Sequence, residues 1–301
     1  MAGALLLICA TLARTAVAAD AVSVRSVDLW PSVPAEHARS PAERPRIDIY
    51  RPANPNGTAM LVIAGGGYAH IAIDKEAIPA ARWLAAGGVT AAVLHYRLPG
   101  EGAPVVAPFQ DAQRAMRRLR ADAATLGIDP GRIGVLGFSA GGHLAGITAT
   151  RFGDAFYAAA DDIDRQSSRP DFAALIYPVI SLQPPLDTTQ ASRRLYAQAD
   201  AATAYSVQLH VAAGTPPVFL AHAVDDPVAS VNHSRLMADA LLREHVPFEQ
   251  HLFERGGHGW GLGVPGAPVS AWPQLFATWA RGHGFLPAQA PAAGRGKGAS
   301  R

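Results

Sequence analysis

The stretch Gly137-Phe138-Ser139-Ala140-Gly141 follows an apolar run, Ile133 to Leu136, and opens a run of small residues that reads as a helix. A serine between strand and helix in the pattern G-x-S-x-G reads as a nucleophile elbow. The sharp turn lifts the Ser139 hydroxyl clear of a sheet edge, and Cβ atoms at Gly137 and Gly141 would collide where strand and helix pass closely. The same turn puts the Ala140 N–H at a helix start, where an unpaired amide and the helix dipole favour a developing negative charge.

The elbow sits in a chain of 301 residues, long enough for one large α/β domain or two small ones, and its 49% hydrophobic content is ample for a buried core. With 26 basic against 24 acidic residues and a net charge of +2, no field argues for nucleic acid as a partner. Ala4 to Leu12 is a short apolar run followed by Ala16-Val17-Ala18, which reads as a signal peptide over residues 1–19 and points to a secreted or periplasmic protein. The run is too short to span a bilayer, so no stable membrane insertion is expected. The single cysteine, Cys9, falls inside that leader, which removes disulfides, thiol catalysis and thiolate metal sites from the mature chain.

Val22–Trp30 and Ile47–Tyr50 read as early antiparallel strands, and Ala59–Ala64 and Val89–Leu94 as strands buried on both faces. Gly65-Gly66-Gly67-Tyr68 follows the first of these core strands. Three glycines there suggest a place where backbone must approach something closely. Helices are expected over about 74–86, around Ala112–Ala123, over about 230–244 and over about 271–282, and further strands at Phe172–Pro178, Pro217–Ala223 and Phe248–Phe253. The alternation implies a mostly parallel central sheet flanked by helices, in one domain over residues 20–286. Arg114, Arg117, Arg118 and Arg120 read as a solvated helix face, and Asp129-Pro130-Gly131 as a turn. Phe152–Arg169 and Ser181–Gly214 interrupt the rhythm and read as a small irregular cap over the strand ends. The tail, 287–301, is rich in Ala, Gly and Pro and reads as disordered.

A serine hydroxyl needs a base to attack an ester, and the base needs a partner to fix its tautomer. Asp225-Asp226 follows one predicted strand and His258, inside Gly256-Gly257-His258-Gly259-Trp260, follows the next. Serine, aspartate and histidine thus come in the chain order of an α/β hydrolase. Either of the two adjacent carboxylates, Asp225 or Asp226, could be that partner on chain order alone. His143, one turn beyond the serine, is expected to support the elbow by packing or hydrogen bonding. The histidines show no metal-ligand spacing.

Ala64-Gly65-Gly66-Gly67-Tyr68, Glu76 with Arg82-Trp83-Leu84, His95-Tyr96-Arg97-Leu98, the elbow through Ala145, Thr215 to Leu220, Asp225-Asp226-Pro227-Val228 and Gly256-Gly257-His258-Gly259 together resemble the acetylxylan-esterase-like α/β hydrolases, a group whose members often carry an endoxylanase label. The resemblance runs from about Ile47 to Leu262, with Ala64 departing from the Pro or His usual before the glycine run. It implies an α/β-hydrolase fold and an esterase that removes acetyl or other short acyl groups from carbohydrate such as acetylated xylan. Ser139, His258 and Asp225 would be catalytic, Asp225 because the acid of the resembling families lies in a D-x-x-V pattern that it forms with Val228, which leaves Asp226 to brace the loop or meet solvent; Gly66 and Gly67 would join Ala140 as oxyanion donors, and no cofactor would be needed. Tyr68 and Trp260 are the candidate substrate-contacting aromatics. A general short-chain carboxylesterase or a prolyl-oligopeptidase-related peptidase shares the same order of residues, and a non-catalytic carbohydrate-binding relative is the alternative from another class. The endoxylanase label gains no support, because a glycosidase needs two carboxylates facing each other across the sugar.

Overall fold

The computed structural model describes residues 22–31, 44–100, 103–196 and 200–288; the expected leader with Cys9, and the tail beyond residue 288, lie outside them. Eight strands, β1 (Ser23–Asp28), β2 (Arg46–Arg51), β3 (Gly57–Ile63), β4 (Thr90–His95), β5 (Ile128–Phe138), β6 (Phe172–Ile176), β7 (Val218–Ala223) and β8 (Phe248–Phe253), form one sheet. Their order is β1-β2-β4-β3-β5-β6-β7-β8. The first two strands add antiparallel at one edge and every later pairing is parallel. Eight α-helices connect them: α1 (Ile78–Ala86), α2 (Ala107–Ala121), α3 (Ala123–Leu126), α4 (Ala140–Thr150), α5 (Gln190–Leu195), α6 (Ala201–Ala204), α7 (Asn232–Arg243) and α8 (Trp272–Gly282).

The uninterrupted apolar runs are explained by burial on both faces. Along β3, Leu61 and Ile63 enter one core with Phe109, Met116, Leu144 and Leu241, whereas Met60 and Val62 enter the other with Leu84, Trp272 and Phe276. Helix α1 starts later than the apolar pattern suggests. A wider π turn, Ile73–Ala77, precedes it, and Pro79 falls in the first turn of α1, where its missing N–H costs nothing. The expected turn at Asp129-Pro130-Gly131 lies inside β5: the Gly131 N–H does bond Asp129 Oδ1 at 2.9 Å, and the pairing with β3 slips there, Gly57 opposing Ile128 while Ala59 opposes Ile133. The turn chemistry is present as a bulge in a longer strand.

Two expectations are corrected. Helix α4 runs back from the C-terminal end of β5, so the chain after it emerges where the strands begin, and Phe152–Arg169 cannot cover the opposite edge. It packs on α2 instead. Arg114, Arg117 and Arg120 of α2 hold it there rather than facing solvent, whereas Arg118 pairs with Asp122 along the helix surface at 2.8 Å. Arg114 is buried, donates from Nε to the Leu29 carbonyl at 2.7 Å, and places its guanidinium on Asp161 at 2.5 Å and Asp164 at 2.9 Å. Arg117 bonds the Tyr157 hydroxyl at 2.6 Å, and Arg120 bonds Asp171 and the Arg169 carbonyl. Removing one partner of a buried ion pair leaves the other charge uncompensated. Arg114→Ala should therefore lower the unfolding free energy in urea by about 3–5 kcal/mol; a loss within about 0.5 kcal/mol would be the signature of a surface arginine.

Candidate functional site

The elbow has the geometry its glycines suggest. Ser139 holds φ 54° and ψ −118°, a backbone state that costs an L-residue on the order of 1–3 kcal/mol unless its surroundings enforce it. They do: the Ser139 N–H bonds the Ile176 carbonyl at the end of β6, and the Ser139 carbonyl accepts from Val179 and His143. A Cβ on Gly137 would lie 2.1 Å from the Gly141 carbonyl oxygen, and one on Gly141 would lie 2.3 Å from that of Ile63. His143 supports the turn from beneath. Its Nε2 faces the Tyr205 carbonyl at 2.7 Å, which can only accept, so Nδ1 accepts from the Tyr68 hydroxyl at 2.8 Å and the ring is fixed neutral.

Ser139 Oγ lies 2.8 Å from His258 Nε2, and His258 Nδ1 lies 2.6 Å from Asp226 Oδ2. A carboxylate accepts only, so Nδ1 carries the proton and Nε2 is free to accept from the serine. The carboxylate on the imidazole is thus Asp226, not Asp225 as the family resemblance implied through its D-x-x-V pattern. Pro227 follows Asp226 and has no N–H, so the Asp226 side chain turns back and Oδ1 accepts the amides of Val228 at 2.8 Å and Ala229 at 2.9 Å. That aims Oδ2 at His258, with His222 Nε2 a further donor at 3.2 Å. Asp225 points the other way and accepts the Gly256 and Gly257 amides at 2.9 and 2.8 Å, bracing the loop that carries His258. Burial would raise the Asp226 pKa, but the bonds from His222, His258 and the Ala229 amide outweigh it and hold the carboxyl well below its ordinary range.

A cavity of about 250 Å³ opens above these residues, lined by Ser139, His258, Gly66, Gly67 and Ala140 among others. Gly66 and Gly67 have φ of 121° and 63°, and a Cβ on Gly66 would lie 2.2 Å from the His70 carbonyl oxygen, so only glycine fits there. Among the described residues their N–H groups have no acceptor, and the Ala140 N–H, first in α4, has none within its helix. The second irregular excursion does reach the cavity, through Thr189, Gln190 and Ala191. Tyr68 and Trp260 do not line it. Tyr68 is fully buried beneath the elbow, and Trp260 packs edge-on against Tyr177 at 4.5 Å, behind the His258 loop. Tyr68 is held inside by its hydroxyl's bond to His143, and Trp260 by its packing on Tyr177 and Trp272. Sequence reasoning missed Lys75 and Glu76 as cavity residues, and Tyr177 behind them. A signal for Glu76 was available, since an acid at i with Ala80 and Leu84 at i+4 and i+8 sits on the face of a helix that packs inward.

Residues 47–241 match the BD-FAE family. The chain belongs to that family. A solved structure of an acetyl ester-xyloside bifunctional hydrolase from Caldicellulosiruptor lactoaceticus superposes with a TM-score of 0.79 at 36% identity, covering 87% of this chain and 97% of the other. An acetylxylan esterase of Xylanibacter ruminicola is 30% identical over 71% of this chain and 43% of its own length; an endo-1,4-beta-xylanase B of Butyrivibrio fibrisolvens is 34% identical over 66% of this chain and 32% of its own. The chain thus spans less than half the length of these two curated relatives. The similarities agree with an α/β-hydrolase fold and with the family resemblance carried by the glycine run, the elbow and the histidine loop.

Two buried histidines behind the site make stability depend on pH. Burial pushes His143 down to about 4, against the opposing bond to the Tyr205 carbonyl, and burial with the nearby His222 and His143 pushes His233 down to about 3. Both values lie below the ordinary 6.5 or so of an unfolded chain. The unfolded state therefore takes up these protons first, and stability falls as pH drops from about 6.5 toward 4. The depressed Asp226 carboxyl adds a further loss below about pH 4. Urea midpoints measured from about pH 7.5 to 4.5 should decline monotonically; a flat profile would contradict neutral burial of both rings.

Proposed function

We propose that this chain is a serine esterase that removes acetyl and other short acyl groups from carbohydrate, working through Ser139, His258 and Asp226. The observation that carries the reading is the relay of 2.8 and 2.6 Å from serine to imidazole to carboxylate, opening on a cavity with unpaired glycine amides. His258 Nε2 takes the Ser139 proton as Oγ bonds the ester carbon, and the carbonyl π pair moves onto oxygen. The amides of Gly66, Gly67 and Ala140 receive that oxyanion; one such donor is worth on the order of 10² to 10³ in rate. The tetrahedral species collapses, the sugar oxygen leaves with the proton from His258, and the acyl group remains on Ser139. Water then gives its proton to His258 and its oxygen to the acyl carbon, and the second collapse releases the acid and restores the serine. Asp226 stays ionised throughout, holding the ring and favouring the imidazolium.

The names of the relatives support acetyl esters of xylan-type carbohydrate as substrates. The cavity supports a short acyl group, being smaller than the roughly 300–1,000 Å³ of sites that enclose a whole small ligand. A sugar would then rest at the mouth rather than inside. Secretion accords with a polymeric substrate and with the leader-like N-terminus. A xyloside-cleaving activity gains no support here: among the described residues Glu76 is the one carboxylate that lines the cavity, and both its oxygens already accept hydrogen bonds.

Acetate release from acetylated xylan, beside aryl esters of increasing chain length, tests the assignment. Rates should fall steeply from acetate through butyrate, since each misfit of overfilled methylenes costs roughly 1–3 kcal/mol. A preference for octanoate would point to a general carboxylesterase. Ser139→Ala should stay folded and lose on the order of 10⁴ in kcat. Asp226→Asn should lose on the order of 10⁴ as well, by favouring the wrong tautomer, whereas Asp225→Asn should lose about tenfold or less through a looser loop. A larger loss in Asp225→Asn would reverse the roles of the two carboxylates.

A further inference from the structure

Glu76 is a buried acid that none of the bond-making steps above uses. It stands in the π turn before α1, between the two loops that must meet over Ser139. Its Oε2 accepts the Gly65 N–H at 2.6 Å, next to Gly66 and Gly67, and its Oε1 accepts the Tyr177 hydroxyl at 2.9 Å. The Tyr177 oxygen in turn accepts the Gly261 N–H at 2.9 Å, three residues past His258, and the Tyr177 ring stands edge-on to the His258 ring at 4.9 Å. Tyr177 pays for this position with φ 37°, an uncommon state for a bulky residue, immediately after β6.

Both partners of Glu76 are donors, one for each oxygen. A carboxylate matches that demand with two acceptors, whereas an amide would turn one –NH₂ toward a donor or toward an already occupied hydroxyl. Burying a charge is costly unless partners compensate it, and here burial does push the carboxyl pKa up against both hydrogen bonds. The same carboxylate lines the cavity with His258. We propose that Glu76 is a positioning residue for ester hydrolysis: through Gly65 and Tyr177 it fixes the glycine run and the His258 loop in one frame, and its charge favours the imidazolium formed when Ser139 is attacking. This rests on the serine-esterase reading.

The charges that face His258 come from several elements. Asp226 bonds it directly from the turn after β7. Glu76 and the exposed Lys75 act from the π turn, the Lys75 Nζ lying 3.1 Å from where a Cβ on Gly259 would be, and His70 lines the same cavity from the segment after the glycine run. Tyr177 faces it as a neutral ring, its hydroxyl pKa pushed far up by burial and then by Glu76. Removing the Glu76 charge leaves Lys75 less opposed, so protonation of His258 becomes less favourable. The acid limb of any rate that needs neutral His258 must then move to lower pH.

A fluorophosphonate that phosphonylates an activated serine gives the readout, because its reaction does not depend on the natural ester. Wild type, Glu76→Gln, Tyr177→Phe and Ser139→Ala are compared by intact mass and by second-order rate across pH, with kcat and KM on an aryl acetate measured in parallel. Wild type should be labelled on Ser139 and Ser139→Ala should not. Glu76→Gln should react on the order of 10²-fold more slowly, with its acid limb at lower pH and the loss on acetate in kcat rather than KM. Tyr177→Phe, which keeps the charge but breaks the tie to Gly261, should lose rate with the acid limb in place. Equal rates and an unmoved limb in Glu76→Gln, beside a labelled wild type, overturn the positioning role and leave the esterase reading standing. A wild type that is not labelled at Ser139 overturns both.

Discussion

The site depends on one close approach. Helix α4 passes β5 with a separation that no Cβ at Gly137 could share, and the end of β3 with one that no Cβ at Gly141 could share, and these contacts force Ser139 into a backbone state it would otherwise avoid. The sheet supplies the force. Ile176 at the end of β6 accepts the serine N–H, and the turn after it returns Val179 to the serine carbonyl. A serine whose backbone is held this way has little backbone freedom left to lose when its hydroxyl meets an imidazole, which is where orientation contributes to rate.

Around that fixed point the loops are held by side chains whose only hydrogen-bonding option is the one they use. The Tyr205 carbonyl sets the tautomer of His143, and the Asp226 carboxylate sets that of His258. Two neighbouring aspartates divide the labour: one orients the imidazole and the other clamps the two amides preceding it. A third carboxylate, Glu76, spans from the glycine run to the far side of the histidine loop. Three acids thus hold the glycine run and the histidine loop, and each is matched to backbone or side-chain donors.

Much of this was legible in the sequence. Apolar runs such as Ala59–Ala64 announce strands buried on both faces, the elbow announces its own turn, and the order of Ser139, the Asp225-Asp226 pair and His258 announces which strand ends converge. What was not legible depended on direction. Spacing cannot say which of two adjacent aspartates turns back beneath Pro227, because successive side chains in a turn diverge. Periodicity placed the α2 arginines off the core but could not show that an acidic excursion, with Asp161 and Asp164, would fold over them. Tyr68 and Trp260 stand beside site residues in the chain yet point into the protein, since adjacency along a loop fixes neither depth nor side.

Attack by Ser139 on an ester makes one chemical intermediate unavoidable, an acyl group on that serine. Mass spectrometry of the protein, acid-quenched during turnover of an aryl acetate and digested, tests for it directly. The peptide containing Ser139 should carry the mass of one acetyl group, and the adduct should be absent from Ser139→Ala. Hydrolysis that proceeds at full rate with no acyl group on that peptide, or with the acyl group on another residue, would contradict the account.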